Sequence, residues 1–117
     1  MLNIAICDDD IQTTGRMDML LQEIAKRNFM DVEIEVFWNG ESLADAVAQG
    51  TYFDMIYLDI EMDKEDGISA AKRIRTYDKN ALIIYVTSHE NHMPALPHAY
   101  NLQDMTGEHV KMALYSV

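Results

Sequence analysis

Three mainly apolar runs divide the chain. Leu2 to Cys7 stops at three acids, Asp8, Asp9 and Asp10; Phe53 to Asp59 contains Met55-Ile56-Tyr57-Leu58; and Ala81 to Val86 ends at Thr87-Ser88. Short runs with so little alternation predict strands buried on both faces, as in a parallel sheet. Val32-Glu33-Ile34-Glu35-Val36-Phe37 instead alternates apolar and acidic residues at period two. That pattern predicts an edge strand with one solvated face.

Helical spacing fills the intervals. Ile11, Met17, Leu20, Leu21 and Ile24 predict a helix running to about Phe29, with Asp10 as its N-cap and Gly15 weakening it. Leu43, Ala46 and Val47 predict a short second helix between Asn39-Gly40 and Gly50, and Gly67 opens a third with Ile68, Ala71, Ile74 and Tyr77 on one face. Strand and helix therefore alternate through the fourth strand. This predicts a doubly wound parallel α/β sheet with right-handed crossovers.

After Asn91 the pattern weakens. Pro94 and Pro97 interrupt a segment of helical content, and an interior proline costs about 3 kcal/mol. No fifth long helix is present, and Val110 to Val117 is the only stretch that predicts a further strand. Residues 1–117 read as a single domain, well patterned over 1–91 and divergent or truncated over 92–117.

Composition narrows the function classes. The 117 residues carry nine Lys+Arg against twenty Asp+Glu, a net charge of −11. Such a balance argues against direct nucleic-acid binding, which needs clustered cations, and favours a divalent metal or a basic protein surface. Cys7 is the only cysteine, which excludes an internal disulfide and suits a reducing compartment. The N-terminus has no basic leader, and no window has the apolar length of a membrane span, so a cytoplasmic location without membrane association is expected.

The candidate chemistry lies at the strand ends. In an open parallel sheet, Asp8, Asp9 and Asp59 would share the crevice beyond the carboxyl ends, with Thr87 on a third strand. Carboxylates so placed repel by on the order of a few kcal/mol per close pair at an effective dielectric near 20. An oxygen-rich, incompletely coordinating site of this kind suits Mg2+, and a carboxylate beside it can act as a nucleophile toward phosphorus. Blander readings exist for each residue: a solvated turn for Asp8 to Asp10, a turn cap for Asp59, an ordinary strand end for Thr87, and surface histidines for His89 and His92.

Taken together, the acidic pair after the first strand, Asp59 in Asp-Ile-Glu-Met, Gly67 eight residues later and Thr87-Ser88 after the fourth strand resemble the receiver domain of a two-component response regulator. The resemblance implies a flavodoxin-like fold with strand order 2-1-3-4-5, of which the last strand and fifth helix are atypical or missing here. It implies Asp59 as phosphoacceptor and Mg2+ held by Asp8, Asp9, Asp59 and the Glu61 backbone carbonyl. By the same resemblance, the Thr87 hydroxyl follows the phosphoryl group and a sensor histidine kinase is the donor. Tyr-Leu-Asp-Ile-Glu-Met and Thr-Ser-His-Glu further resemble receivers that precede a LytTR-type DNA-binding output domain, which would lie outside this chain. The module would be regulatory, with only self-phosphorylation and self-dephosphorylation.

Two positions depart from the pattern. Asp63 stands where the family often has proline. The family lysine ends strand five and is followed by proline, whereas Lys111, 24 residues after Thr87, precedes Met112-Ala113-Leu114. As the start of a strand over Val110 to Val117, it would sit at the wrong end for the crevice. Two rival readings follow: a receiver-like interaction module that is not phosphorylated, and a haloacid-dehalogenase-like phosphatase, whose signature Asp8-x-Asp10 fits poorly because Gln12 follows. The truncated sheet edge also offers a surface for pairing as a homodimer.

Overall fold

The computed structural model describes residues 1–59, 62, 67–87, 99–103 and 109–115. Its elements are β1 (Leu2–Cys7), α1 (Ile11–Arg27), β2 (Val32–Phe37), α2 (Gly40–Ala48), β3 (Met55–Asp59), α3 (Gly67–Tyr77), β4 (Leu82–Thr87), β5 (Ala99–Gln103) and β6 (His109–Tyr115). The sheet order is β2-β1-β3-β4-β6-β5. The first four strands pair in parallel, as the alternation predicts, in the order 2-1-3-4 that the receiver resemblance implies. No helix among the described residues is long and apolar enough to cross a membrane.

The sheet continues differently from a parallel fifth strand. β6 lies antiparallel beside β4, and β5 lies antiparallel outside β6. The expected strand near Val110 forms over His109–Tyr115, whereas β5 falls where polar residues gave no strand signal. Reversal of β6 needs no helical crossover, because β5 and β6 are consecutive antiparallel strands.

Alternation divides the sheet into two faces. Ala5, Cys7, Ile56, Leu58, Ile83 and Tyr85 join Leu43, Val47, Ala70, Ala71 and Ile74 of α2 and α3 in one core cluster. Phe37 and Phe53 meet edge to face within it, their ring centroids 5.8 Å apart, a favoured aromatic geometry. Ile4, Ile6, Ile84 and Val86, at the alternate positions, are buried outside that cluster, as are Thr14 and Ala25 of α1. β2 is the edge strand the sequence predicts, with Glu33 and Glu35 exposed.

Local chemistry sets the helix ends. Asp10 and Asn39 cap α1 and α2 by accepting from the backbone N–H groups of Gln12 and Ser42. Both helices close in the same way. Gly50 N–H donates to the Val47 carbonyl and Thr51 N–H to that of Ala46; Phe29 N–H donates to Lys26 and Met30 N–H to Ala25. These are Schellman closures, which require a left-handed residue. Gly50, at φ +104°, supplies it freely, but at the end of α1 the position is held by Phe29, at φ 54°. This turn stops α1 at Arg27, short of the expected Phe29.

At the amino edge, Asp54 joins three strands. Its carboxylate accepts from the Asn3 backbone N–H at 2.8 Å and from the Tyr52 hydroxyl at 2.9 Å. Its own N–H donates to the Asn3 carbonyl, and its carbonyl accepts from Leu82 N–H. The Asn3 N–H and then the Tyr52 hydroxyl hold the Asp54 carboxyl below its ordinary value of 3.8.

Two outcomes follow. Phe29 is 98% exposed, so Phe29→Gly loses little packing while relieving a left-handed cost of about 1 kcal/mol; urea unfolding should show a gain of that order, and a loss would show that the ring stabilises the native state. The Asp54 charge stabilises the fold above pH 3.8, and that contribution is lost as pH falls through the depressed native value. Asp54→Ala should therefore lower the melting temperature most at neutral pH, with the difference from the parent shrinking in acid.

Candidate functional site

Strand register brings the chemistry to one edge. Cys7 aligns with Leu58 of β3 and Phe37 of β2, so Asp8 leaves β1 beside Asp59, the last residue of β3. Asp59 aligns with Val86, one residue before Thr87 at the end of β4. Asp8 N–H extends the ladder by donating to the Phe37 carbonyl at 3.1 Å. The chain then turns, with Asp10 N–H donating to Asp8 Oδ1 at 2.9 Å.

Asp8 is buried, Asp59 half-buried and Asp9 exposed, yet one carboxylate oxygen from each lies within 4.8 Å of the others. Burial pushes the Asp8 carboxyl above its ordinary value; the Asp10 N–H opposes this and the Asp9 charge adds to it. This crowding is the test of cation fit. Three convergent oxygen donors, one desolvated and one open to water, match a hard divalent ion that retains several waters.

The three consecutive acids have different tasks. Asp10 is exposed, and its two oxygens accept from Gln12 N–H and the Thr13 hydroxyl, both at 3.0 Å. The Thr13 hydroxyl, then the Gln12 N–H, hold its carboxyl below the ordinary range. Asp10 is thus the helix cap and stands outside the acidic group, which weighs against a catalytic Asp8-x-Asp10 pair.

A contact missed in the sequence links β1 to Met62. The Cys7 thiol donates to the Met62 thioether at 3.7 Å, and Met62 packs against the core. The only signal for it was an apolar residue in an otherwise acidic loop. Gly67 begins α3 and is buried, as its position after the loop suggested. Glu61, Asp63, Ser88, His89 and His92 lie outside the described residues.

Lys111 requires a correction. Because β6 runs antiparallel, its early residues lie at the carboxyl edge of β4, and Lys111 aligns with Thr87. The end that is wrong for a parallel strand is the right one here. β6 is two strand spacings from β3, roughly 10 Å, so Asp8, Asp59, Thr87 and Lys111 belong to neighbouring register positions on one edge of the sheet.

Fold and site together define an open α/β domain with a carboxylate crevice at its strand ends. The chain belongs to the response regulator receiver domain family, whose model matches residues 4–105. It is 33% identical over 85 residues to the sensory transduction protein LytR of Staphylococcus haemolyticus, and 29% identical over 89 residues to the two-component response regulator ARR22 of Arabidopsis thaliana. These matches take in 73% and 75% of the chain, but only 31% of LytR and 58% of ARR22. Among solved structures, the MaeR response regulator bound to beryllium trifluoride superposes with a TM-score of 0.66 at 21% identity, over 80% of this chain and 74% of that one. The CheX–CheY complex with BeF3 and Mg2+ from Borrelia burgdorferi gives 0.55 at 28% identity, over 72% of this chain and 60% of that one.

The crowding at Asp8 has a measurable consequence. Asp8→Asn removes a desolvated charge while keeping an oxygen to accept from Asp10 N–H. In chelator-treated protein at neutral pH it should raise the melting temperature, and isothermal titration should show Mg2+ affinity reduced by at least tenfold, the order of one lost carboxylate ligand. Unchanged affinity would remove Asp8 from the cation site.

Proposed function

We propose that this domain is the phosphoacceptor module of a cytoplasmic two-component system, in which Asp59 receives a phosphoryl group from a phosphohistidine on a sensor histidine kinase. The observation that carries this reading is the convergence of Asp8, Asp9 and Asp59 within 4.8 Å at the carboxyl edge of a receiver fold. Asp8 and Asp9 would hold Mg2+ together with Asp59 and the Glu61 backbone carbonyl. Bound there, the ion neutralises the crevice and draws charge from phosphoryl oxygens.

The residues of the chain do the rest. One oxygen of the Asp59 carboxylate attacks phosphorus in line. The phosphorus–nitrogen bond breaks, the donor imidazole leaves with its electron pair, and an aspartyl phosphate remains. The Thr87 hydroxyl follows the phosphoryl group, and Lys111 pairs with its charge from β6. Register supports this role for Lys111, since its backbone stands opposite that of Thr87.

Signalling then needs contacts that differ between the two phosphorylation states, because added charge shifts an equilibrium only through such differences. The output would be a DNA-binding domain outside this chain, a reading supported by the match to LytR, of which this chain covers 31%. The BeF3 and Mg2+ in the CheY neighbour, and its CheX partner, support phosphoryl chemistry and a protein partner of the same general kind. The antiparallel β6 favours one alternative, a receiver-like module that binds partners without being phosphorylated.

Intact mass after incubation with a small-molecule phosphodonor separates the two readings. One Mg2+-dependent phosphoryl adduct is expected, absent in Asp59→Asn, with Lys111→Ala slowing its formation by roughly 10²-fold as for loss of one electrostatic stabiliser. No adduct on folded parent protein would establish the interaction-module reading, and labelling of Asp59→Asn would sink the acceptor assignment.

A further inference from the structure

Cations are scarce in this chain and nearly half of them stand together. Residues 67–80, α3 and the turn after it, hold Lys72, Arg73, Arg75 and Lys79, four of the nine Lys+Arg, against Asp78 as the single acid. Asp78 serves the turn: its Oδ1 accepts from Asn80 N–H at 2.8 Å and from Ala81 N–H at 3.1 Å. Arg75 is half-buried and donates through Nη1 to the Asp78 carbonyl. Lys72, Arg73, Thr76 and Lys79 are exposed.

Ala70, Ala71 and Ile74 are the buried side of α3. Tyr77, grouped with them by its spacing, is instead 61% exposed, one turn beyond Arg73. Arg73 pairs with Asp45 of α2 at 3.1 Å, but both side chains are open to water. Such a pair contributes little, so an incoming carboxylate can exchange with Asp45 at small cost. The face therefore offers exposed cations beside an exposed tyrosine, and Tyr and Arg are the residue types enriched where protein interfaces gain most of their energy.

We propose that this basic face of α3 is a docking surface for an acidic segment of a partner protein, which sets carboxylates against Lys72, Arg73 and Lys79 and an apolar side chain against Tyr77. Charge complementarity selects the occupant. Nineteen of the twenty acids lie outside residues 67–80, so most of the remaining surface repels an anionic segment and this face orients it. Nucleic acid fits less well. Lys72 to Lys79 spans about 10 Å at helical rise, whereas a duplex carries a charge every ~1.7 Å and would run past the cations onto acidic surface. None of these residues belongs to the acidic crevice, so docking here needs no phosphoryl chemistry.

The test uses the full chain and a labelled short peptide of glutamates around one phenylalanine. Fluorescence anisotropy should show saturable binding, lost when glutamines replace the glutamates. Lys72→Glu with Lys79→Glu should weaken it by roughly tenfold or more, since opposite charges become like ones, while Lys72→Arg with Lys79→Arg should keep it. Lys26→Glu with Arg27→Glu makes the same change of net charge on α1 and should leave binding unchanged. Tyr77→Ala should weaken it with no change of charge. Circular dichroism checks the fold of each variant; if the double glutamate variant fails to fold, Lys72→Gln with Lys79→Gln and Tyr77→Ala decide. No saturable binding by the parent, or an equal loss in the α1 variant, overturns the proposal. So does a short DNA duplex that displaces the peptide at equal concentration, because the face would then be a general polyanion surface.

Discussion

Repulsion among carboxylates at the ends of two adjacent strands is the constraint on which this structure turns. Parallel register sets Asp8 beside Asp59, and the ladder bond from Asp8 N–H to Phe37 fixes Asp8 at the rim of the sheet. Burial then raises the cost of its charge. A fold seeking only stability would replace such a residue, because a desolvated acid beside two others opposes folding. Its retention is intelligible if the strain is relieved by a cation, and the surrounding bonds keep the oxygens convergent. Asp10 turns the chain and caps α1, while the Cys7 thiol of β1 donates to Met62.

The C-terminal hairpin shows how one edge position can be reached by two topologies. A parallel fifth strand brings its last residues to the carboxyl edge. The antiparallel β6 brings its first residues there instead, and Lys111 is the third residue of β6. The distance of Lys111 from Thr87 along the chain is therefore compatible with proximity in space for a reason unrelated to the family connection. Direction, which sequence spacing does not encode, decides which end of a strand approaches the crevice.

Much of the first 87 residues was legible from periodicity. Unbroken apolar runs identified β1, β3 and β4, acidic alternation identified β2 as an edge, and Asp10 announced the start of α1. The signals that failed were nonlocal or weak. Phe29 in a left-handed turn replaces the glycine that marks such a stop, so the end of α1 was read two residues late. β5 lacks the alternation that reveals a half-buried strand, and its pairing depends on β6 rather than on its own residues. In the site, the acidic group was visible because each acid follows an apolar run. The Cys7–Met62 contact and the position of Lys111 opposite Thr87 required three-dimensional register.

The same register connects the site to the far edge of the sheet. Thr87 aligns with Lys111, and Lys111 with Asn101. Under the proposed chemistry, a phosphoryl group attracting Lys111 would act on the strand that bridges β4 to β5. A shift of β6 relative to β4 by one residue would reverse the face of every β6 residue, so small gradual slippage is not available to the hairpin. Coupling between the acidic crevice and the outer strand would therefore take the form of a choice between discrete pairings, the physical basis on which a sheet can act as a switch.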